Sequence, residues 1–305
     1  MLNLLPCKKA WRMNILNEEQ PMLLLGAHFS IAGGLHKAVF TASEYECTAL
    51  QVFTKNASTW KERRLSSHDV EQFDIARKRS GVKAICSHTS YLINLASPER
   101  SKYERSVKAL EHELVRSTQL SITYVIMHPG AHMGSGEDKG LRRIAEGINK
   151  VFDHVPEATC QLVLETTAGQ GSNLGHTFEQ LAHISDMVEA KEKTGFCLDT
   201  CHVFAAGYDL RTKTAYQETM QAFNRVIGLD RLCVIHLNDA KKGLGSRIDR
   251  HEHIGEGAIG IDAFSFILND PQLKRLPKIL ETPKKKGPID YDRMNLNRLR
   301  SLIRT

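Results

Sequence analysis

Eight short apolar runs, spaced along the chain with longer amphipathic stretches between them, restrict the fold more than any other feature. The runs cover residues 23–28, 49–54, 84–88, 124–128, 161–165, 195–199, 232–237 and 278–281. They are aliphatic or β-branched and do not alternate with polar residues, which suits strands buried on both faces of a parallel sheet. Between them, residues 66–80, 99–119, 140–154, 177–193 and 214–227 carry apolar side chains at helical spacing. Val107, Leu110 and Leu114 mark the second of these stretches, and Leu141, Ile144, Ile148 and Val151 the third. Strands alternating with helices give an α/β fold, and a count of eight favours a single (β/α)8 TIM barrel over an open doubly wound sheet. The 305 residues match one such barrel. Residues 22–305 are read as the barrel, and residues 1–21 as an N-terminal extension without a fold of its own.

Composition excludes several classes. Hydrophobic residues make up 41% and charged residues 25%, which is globular and neither disordered nor coiled-coil. No apolar run approaches the ~18 residues of a membrane-spanning helix. No apolar core precedes a small-residue cleavage site near the start, and Glu18 and Glu19 count against a transit peptide, so a cytoplasmic protein is expected. Seven cysteines, an odd number with no C-x-x-C pair, read as reduced and mostly buried thiols. Lys and Arg exceed Asp and Glu by 41 to 35, a charge of +6 that permits a polyanionic partner without requiring one.

In a barrel of this kind the chemistry sits at the C-terminal ends of the strands. Those ends read His28, Thr54, His88, His128, Glu165, Asp199, His236 and Glu281. Any one of these histidines alone is more often a hydrogen-bonded core residue than a ligand. Seven ionisable ends converging on one rim are different, because burying three carboxylates without a counter-charge is costly. Bound divalent cations supply that charge. Asp199-Thr200-Cys201-His202 adds an imidazole three residues after a strand-end carboxylate, and Asp249-Arg250-His251 adds a D-x-H pair in a Gly/Arg-rich loop. The mixed nitrogen and oxygen set suits Zn²⁺ or Mn²⁺, and some nine ligand-type residues are too many for one tetrahedral ion. A cluster of two or three ions suits phosphoryl chemistry.

The motifs together resemble endonuclease IV, the zinc-dependent apurinic/apyrimidinic (AP) endonucleases of base-excision DNA repair. The resemblance rests on Gly26-Ala27-His28, Phe53-Thr54-Lys55-Asn56, His88 with Tyr91-Leu92-Ile93-Asn94-Leu95, and His128-Pro129-Gly130-Ala131-His132. It continues through Glu165-Thr166-Thr167-Ala168-Gly169-Gln170-Gly171, Asp199-Thr200-Cys201-His202, His236-Leu237-Asn238-Asp239, Gly245-Ser246-Arg247-Ile248-Asp249-Arg250-His251 and Leu280-Glu281-Thr282-Pro283. These blocks run in the family's order from residue 22 to about 300.

The resemblance implies a TIM barrel, three Zn²⁺ ions with Mn²⁺ acceptable at one or more sites, and a ligand for each position. His88 and His128 would bind the first ion, with Glu165 bridging to the second. Asp199, His236 and Glu281 would complete the second ion, and His202, Asp249 and His251 would bind the third. Glu165 and Glu281 would be catalytic. Asn56, Tyr91, Arg247 and Arg250 would contact DNA, with Lys55, Lys61, Arg63, Lys241 and Lys242 as further phosphate contacts. His28, His132 and His253 fall outside the ligand set and are read as its supports or as rim residues. Ser58 stands where the family pattern allows a larger, often basic, side chain, a departure that bears on DNA penetration at that position. The implied reaction is hydrolysis of the phosphodiester 5′ to an abasic site in duplex DNA, giving a 3′-hydroxyl and a 5′-deoxyribose phosphate. A monomer with no organic cofactor is expected.

Two other readings compete. A metal-dependent sugar isomerase or epimerase of the xylose-isomerase type shares the barrel, but it needs no third site built from Asp249, His251 and His202. A DNA-binding barrel without catalysis has no reason to keep nine strand-end ligands.

Overall fold

In the computed structural model, which describes residues 22–284 and 288–304, eight parallel strands close into a barrel. They are β1 (Leu25–His28), β2 (Ala49–Phe53), β3 (Ala84–His88), β4 (Tyr124–Met127), β5 (Gln161–Glu165), β6 (Thr194–Asp199), β7 (Leu232–His236) and β8 (Lys278–Leu280). Closure is made where Gly26 of β1 lies beside Ile279 of β8 on one side and Ala49 of β2 on the other. Only glycine fits there: a Cβ on Gly26 would come within 1.7 Å of the Ala49 carbonyl oxygen. The barrel matches the sequence reading, strand for strand. The proposed extension at residues 1–21 lies outside the described residues.

Nine helices are present among the described residues: α1 (Leu35–Glu44), α2 (Ser67–Arg79), α3 (Arg100–Gln119), α4 (Glu137–His154), α5 (Phe178–Met187), α6 (Thr200–Ala206), α7 (Lys213–Val226), α8 (Ile261–Leu268) and α9 (Tyr291–Ser301). The start of α2 is a capping box, in which Ser66 Oγ accepts from Asp69 N and Asp69 accepts from Ser66 N. The stretch 177–193 is not one helix. Val188 leaves the helix in extended backbone, and Glu189 N turns to Asn149 Oδ1, so a separate 3₁₀ turn at Lys191–Lys193 leads into β6. The sequence reading did not resolve α6. Asp199, at the end of β6, caps it directly, its Oδ1 accepting from His202 N at 2.9 Å.

The pleat explains how a site arises on an apolar scaffold. A large core fills the space between strands and helices. A smaller one, with Ala49, Cys86, Val163, Cys197 and Val234, fills the barrel interior. Successive side chains of a strand alternate faces, so the residue two places further on points the same way. Above those five residues stand Gln51, His88, Glu165, Asp199 and His236, all buried. The inward layer nearest the C-terminal rim is therefore polar on five of the eight strands, β2, β3, β5, β6 and β7. The six cysteines among the described residues are free and buried, as the composition implies.

Candidate metal centre

All nine ligand-type residues singled out in the sequence meet at the C-terminal rim, in three groups. The first joins His88, His128 and Glu165, with both Nε2 atoms 3.0 and 3.1 Å from Glu165 Oε2. The second joins Glu165, Asp199, His236 and Glu281. His236 Nδ1 is 2.8 Å from Glu165 Oε1 and 3.2 Å from Glu281 Oε2. The third joins His202, Asp249 and His251. Asp249 lies 3.2 Å from His202 and 3.4 Å from His251, and the two imidazole Nε2 atoms are 3.4 Å apart. Glu165 belongs to both the first and the second group. Within each group the ligand atoms lie within 4.8 Å of one another.

The surrounding hydrogen bonds fix which ring nitrogen faces inward. A carbonyl oxygen only accepts, so a ring nitrogen bonded to one carries the proton. His88 Nδ1 donates to Thr89 O at 2.9 Å, His202 Nδ1 to Thr166 O at 2.8 Å, and His251 Nδ1 to Glu281 O at 3.1 Å. In the neutral ring each then turns an Nε2 lone pair toward the carboxylates. His236 is held the other way round. Its Nε2 donates to Gln51 Oε1 at 2.8 Å, and Gln51 Nε2 donates to Glu281 Oε1 at 2.5 Å and to His28 Nδ1 at 3.0 Å. One amide thereby orients an imidazole, a carboxylate and a second imidazole. Asn238 does similar work, donating to Asp199 Oδ2 at 2.6 Å while its own Oδ1 accepts from Glu281 N.

Lone pairs thus converge on lone pairs. Among the described residues, the ion partners of Glu165, Asp199, Asp249 and Glu281 are all imidazoles, with no Lys or Arg within reach. Such an arrangement needs either protons on the imidazoles or a cation between the groups. The donor set and spacing fit divalent cations: a tetrahedral ion with ligands at about 2.1 Å holds them roughly 3.4 Å apart, as the third group already stands.

Other positions are sorted by the structure. His28 supports the site through Gln51 and lies 3.6 Å from Glu281. His132 is a rim residue, its ring accepting from Gly136 N just before α4. His253 stands away from the cluster, stacked on Tyr291 at 4.0 Å and bonded to Asn295. Tyr91 is 71% exposed on the rim, its ring 5.4 Å from Phe53 and 6.2 Å from His88. Asn56 is exposed, and its Oδ1 accepts from Ser58 N in a tight turn. Arg247 and Arg250 are exposed beside the third group. Arg247 takes a left-handed φ of 54°, and a Cβ on Gly169 would meet its Nη1 at 2.6 Å. Gln170 Oε1 ties the same glycine-rich loop to Asp249 N. A cavity of about 1030 Å³ opens beside the cluster, walled by His28, Phe53, Asn56, Ser58, Tyr91 and Lys284.

Two basic residues are placed differently from the others. Lys55 is only 4% exposed and donates to Thr59 O at 2.5 Å, so its ammonium is turned into the loop and not out to solvent. Arg63 is paired with Asp69 at 2.6 Å, drawn in by the cap of α2. Lys61, Lys241 and Lys242 are exposed on the rim loops. Gln51 is the supporting residue that the sequence reading missed. Its signal was present as the one polar residue inside the apolar run Ala49-Leu50-Gln51-Val52-Phe53.

Fold and site together define a TIM barrel whose strand ends carry clustered groups of candidate metal ligands. A family model described as "Xylose isomerase-like TIM barrel" matches residues 39–302. A "Probable endonuclease 4" of Geobacter sulfurreducens is 48% identical over 281 residues, covering 92% of this chain and 94% of that protein. Another, of Chloroflexus aggregans, is 44% identical and covers 92% and 97%. The crystal structure of endonuclease IV from Thermus thermophilus superposes with a TM-score of 0.80 at 38% identity, covering 91% of this chain and 98% of that one. The chain belongs to the endonuclease IV family. A D-tagatose 3-epimerase-like protein shares the fold at a TM-score of 0.67, with 17% identity. No helix among the described residues is long and apolar enough to cross a membrane.

Proposed function

We propose that this protein is an AP endonuclease of base-excision repair. It hydrolyses the phosphodiester 5′ to an abasic site in duplex DNA and leaves a 3′-hydroxyl and a 5′-deoxyribose phosphate. The observation that carries this reading is the third group, His202, Asp249 and His251, standing beside the pair that shares Glu165. A sugar isomerase has no use for it, and the epimerase-like structures share only the fold with this chain. The nine residues would hold three Zn²⁺ ions, with Mn²⁺ acceptable at one or more positions. Bound divalent cations lower the pKa of water from 15.7 to about 7 and neutralise phosphoryl oxygens.

The chain's own residues do the rest. Glu165 is fixed by His88, His128 and His236, so its two oxygens present negative charge at a set place. Glu281 faces the cavity side of the cluster with part of its carboxylate accessible, and its oxygens can orient the attacking water and take its proton. Gln51 and Asn238 keep that carboxylate and Asp199 from rotating. An abasic nucleotide has no base to stack or pair, so drawing it toward the cluster costs less than flipping an intact one. Tyr91, exposed at the mouth, is placed to fill the gap left behind. Arg247 and Arg250 flank the third group, where a phosphate leaving oxygen develops charge. The catalytic unit would be residues 22–305, acting as a cytoplasmic monomer without an organic cofactor.

The direct test is incision of an end-labelled duplex carrying one tetrahydrofuran abasic-site analogue, which no lyase can cut. One metal-dependent cut on the 5′ side with a 3′-hydroxyl end is expected. A folded, metal-loaded protein that leaves the duplex intact would move the reading to the sugar isomerases. Salt supplies an independent check on the rim. Each phosphate neutralised contributes a slope of about −0.9 to log K against log salt. Arg250→Ala is therefore expected to lower the slope by about one. A salt-independent affinity would remove phosphate tracking from these loops.

A further inference from the structure

We infer that Lys55 is a positioning residue, the internal clamp of the rim loop that meets the lesion, and not a phosphate contact. The inference rests on the nuclease reading above. The loop after β2 forms one wall of the large cavity, through Asn56, Ala57 and Ser58. It is pinned at successive points. The Lys55 ammonium reaches across the loop to Thr59 O at 2.5 Å. Ser58 N donates to Asn56 Oδ1 at 2.9 Å, and Lys61 N to Thr59 Oγ1 at 3.1 Å. Ser90 Oγ, next to Tyr91, donates to Ala57 O at 2.5 Å and so couples the loop to the exposed aromatic.

Behind the loop lies a chain of charge that is buried except at Glu62, which is 27% exposed. Glu62 Oε1 is 3.7 Å from Lys55 Nζ, and its Oε2 pairs with Arg116 of α3. Arg116 also donates to Glu113 Oε2 at 2.7 Å and to Thr54 Oγ1 at 2.8 Å, and Thr54 donates to Glu113 Oε1 at 2.5 Å. Thr54, Lys55, Glu113 and Arg116 are all buried. The network runs from the C-terminal turns of α3 to the loop tip. Arg105, also on α3, lies over the Trp60 ring at 4.5 Å and holds the far end of the loop. Lys55 borders the cavity but is only 4% exposed, and its ammonium is turned onto Thr59 O, so a phosphate meets little of it while the loop is closed. The loop is thus preformed before DNA arrives, which spares the complex the entropy of ordering it.

The test is Lys55→Met in a Trp11→Phe background, where Trp60 is the remaining tryptophan. KM for the tetrahydrofuran duplex is expected to rise roughly tenfold or more with kcat changed little, since the loop positions DNA and touches no reacting atom. The salt slope should stay as in the unmodified protein, acrylamide should quench Trp60 more strongly, and bound zinc should be unchanged. Lys55→Arg should recover most of the loss. A slope reduced by about one would show that Lys55 holds a phosphate and overturn the clamp. Unchanged KM and unchanged quenching would overturn it as well. Should Lys55→Met fail to fold, Glu62→Gln loosens the same clamp from its more exposed side. A several-fold rise in KM is then expected, and none would refute the inference. A parent protein that does not cut would sink the nuclease reading itself, and Trp60 quenching would still decide whether Lys55 holds the loop.

Discussion

Glu165→Gln is expected to reduce incision of abasic duplex by about 10³-fold or more, equivalent to about 4 kcal/mol of transition-state stabilisation. The size follows from the number of contacts the carboxylate serves. Its Oε2 stands 3.0 Å from His88 and 3.1 Å from His128, and its Oε1 stands 2.8 Å from His236. Glutamine keeps the shape but removes one negative charge from a fully buried position. It also turns an N–H₂ donor toward imidazole nitrogens or toward whatever cation they hold. Two ligand groups lose their shared member at once, so bound zinc should fall along with activity. DNA affinity should persist, because the rim loops that meet phosphate do not pass through Glu165. Equilibrium binding to the tetrahydrofuran duplex, zinc content and single-turnover incision, measured on one preparation, separate these effects. A variant that cuts at the parent rate would remove Glu165 from the reaction.

The strand-end ligand-type residues were legible in the sequence because the strand pleat is periodic. A run such as Gly195-Phe196-Cys197-Leu198-Asp199 places its last residue at the rim, and no tertiary detail is needed to predict that. Asp249 and His251 do not follow from this rule, since they sit on a long loop. They were found through their D-x-H spacing and the family likeness. Gln51 was missed because one polar residue in an apolar run reads as noise until the barrel closes and brings Glu281 and His236 against it from β8 and β7. Lys55 was misjudged for a related reason. A lysine on a rim loop beside Asn56 suggests a phosphate contact, and only the path of the loop shows its ammonium turned inward to Thr59 O. The extent of α5 was overstated because 177–193 keeps helical spacing past Val188, where the chain must turn to feed β6. Local pattern therefore locates what lies on the regular scaffold, and loop geometry decides the rest.

Stripping the protein with a strong chelator should abolish incision and lower the melting temperature by about 10 °C, with the gap widening as pH rises from 6 to 8. The magnitude follows from linkage: an ion present at 1,000 times its Kd stabilises by about 4.1 kcal/mol, and each kcal/mol moves the midpoint of a chain this size by about 2–4 °C. The pH trend follows from the groups that replace the ion. Burial opposes the charged form of Glu165, but the His236 and His128 charges outweigh it and hold its carboxyl well below the usual range. Glu281 behaves likewise, burial being overcome by His236. Burial also opposes charge on His202 and His88. Asp199 and Asp249 nonetheless raise His202 well above 6.5, and the hydrogen bond to Glu165 raises His88. The lowered carboxylates stabilise the stripped protein above their ordinary value of 4.5, and that stability is lost as pH falls through their folded values. The raised imidazoles stabilise it fully below 6.5, and that stability is lost as pH rises through theirs. Between 4.5 and 6.5 the stripped site is therefore held together by its own protons. Above that window the imidazole contribution declines as pH rises toward the folded values, and the buried carboxylates come to face lone pairs. Cation binding needs those same imidazoles neutral, so the loaded protein gains where the stripped one loses. Melting curves of loaded and stripped protein at pH 6, 7 and 8, followed by re-addition of Zn²⁺ or Mn²⁺, measure this directly. A gap that stays constant or narrows toward pH 8 would mean that the imidazoles are not the groups the ion displaces protons from. Full incision after exhaustive stripping would remove metal chemistry from the site altogether.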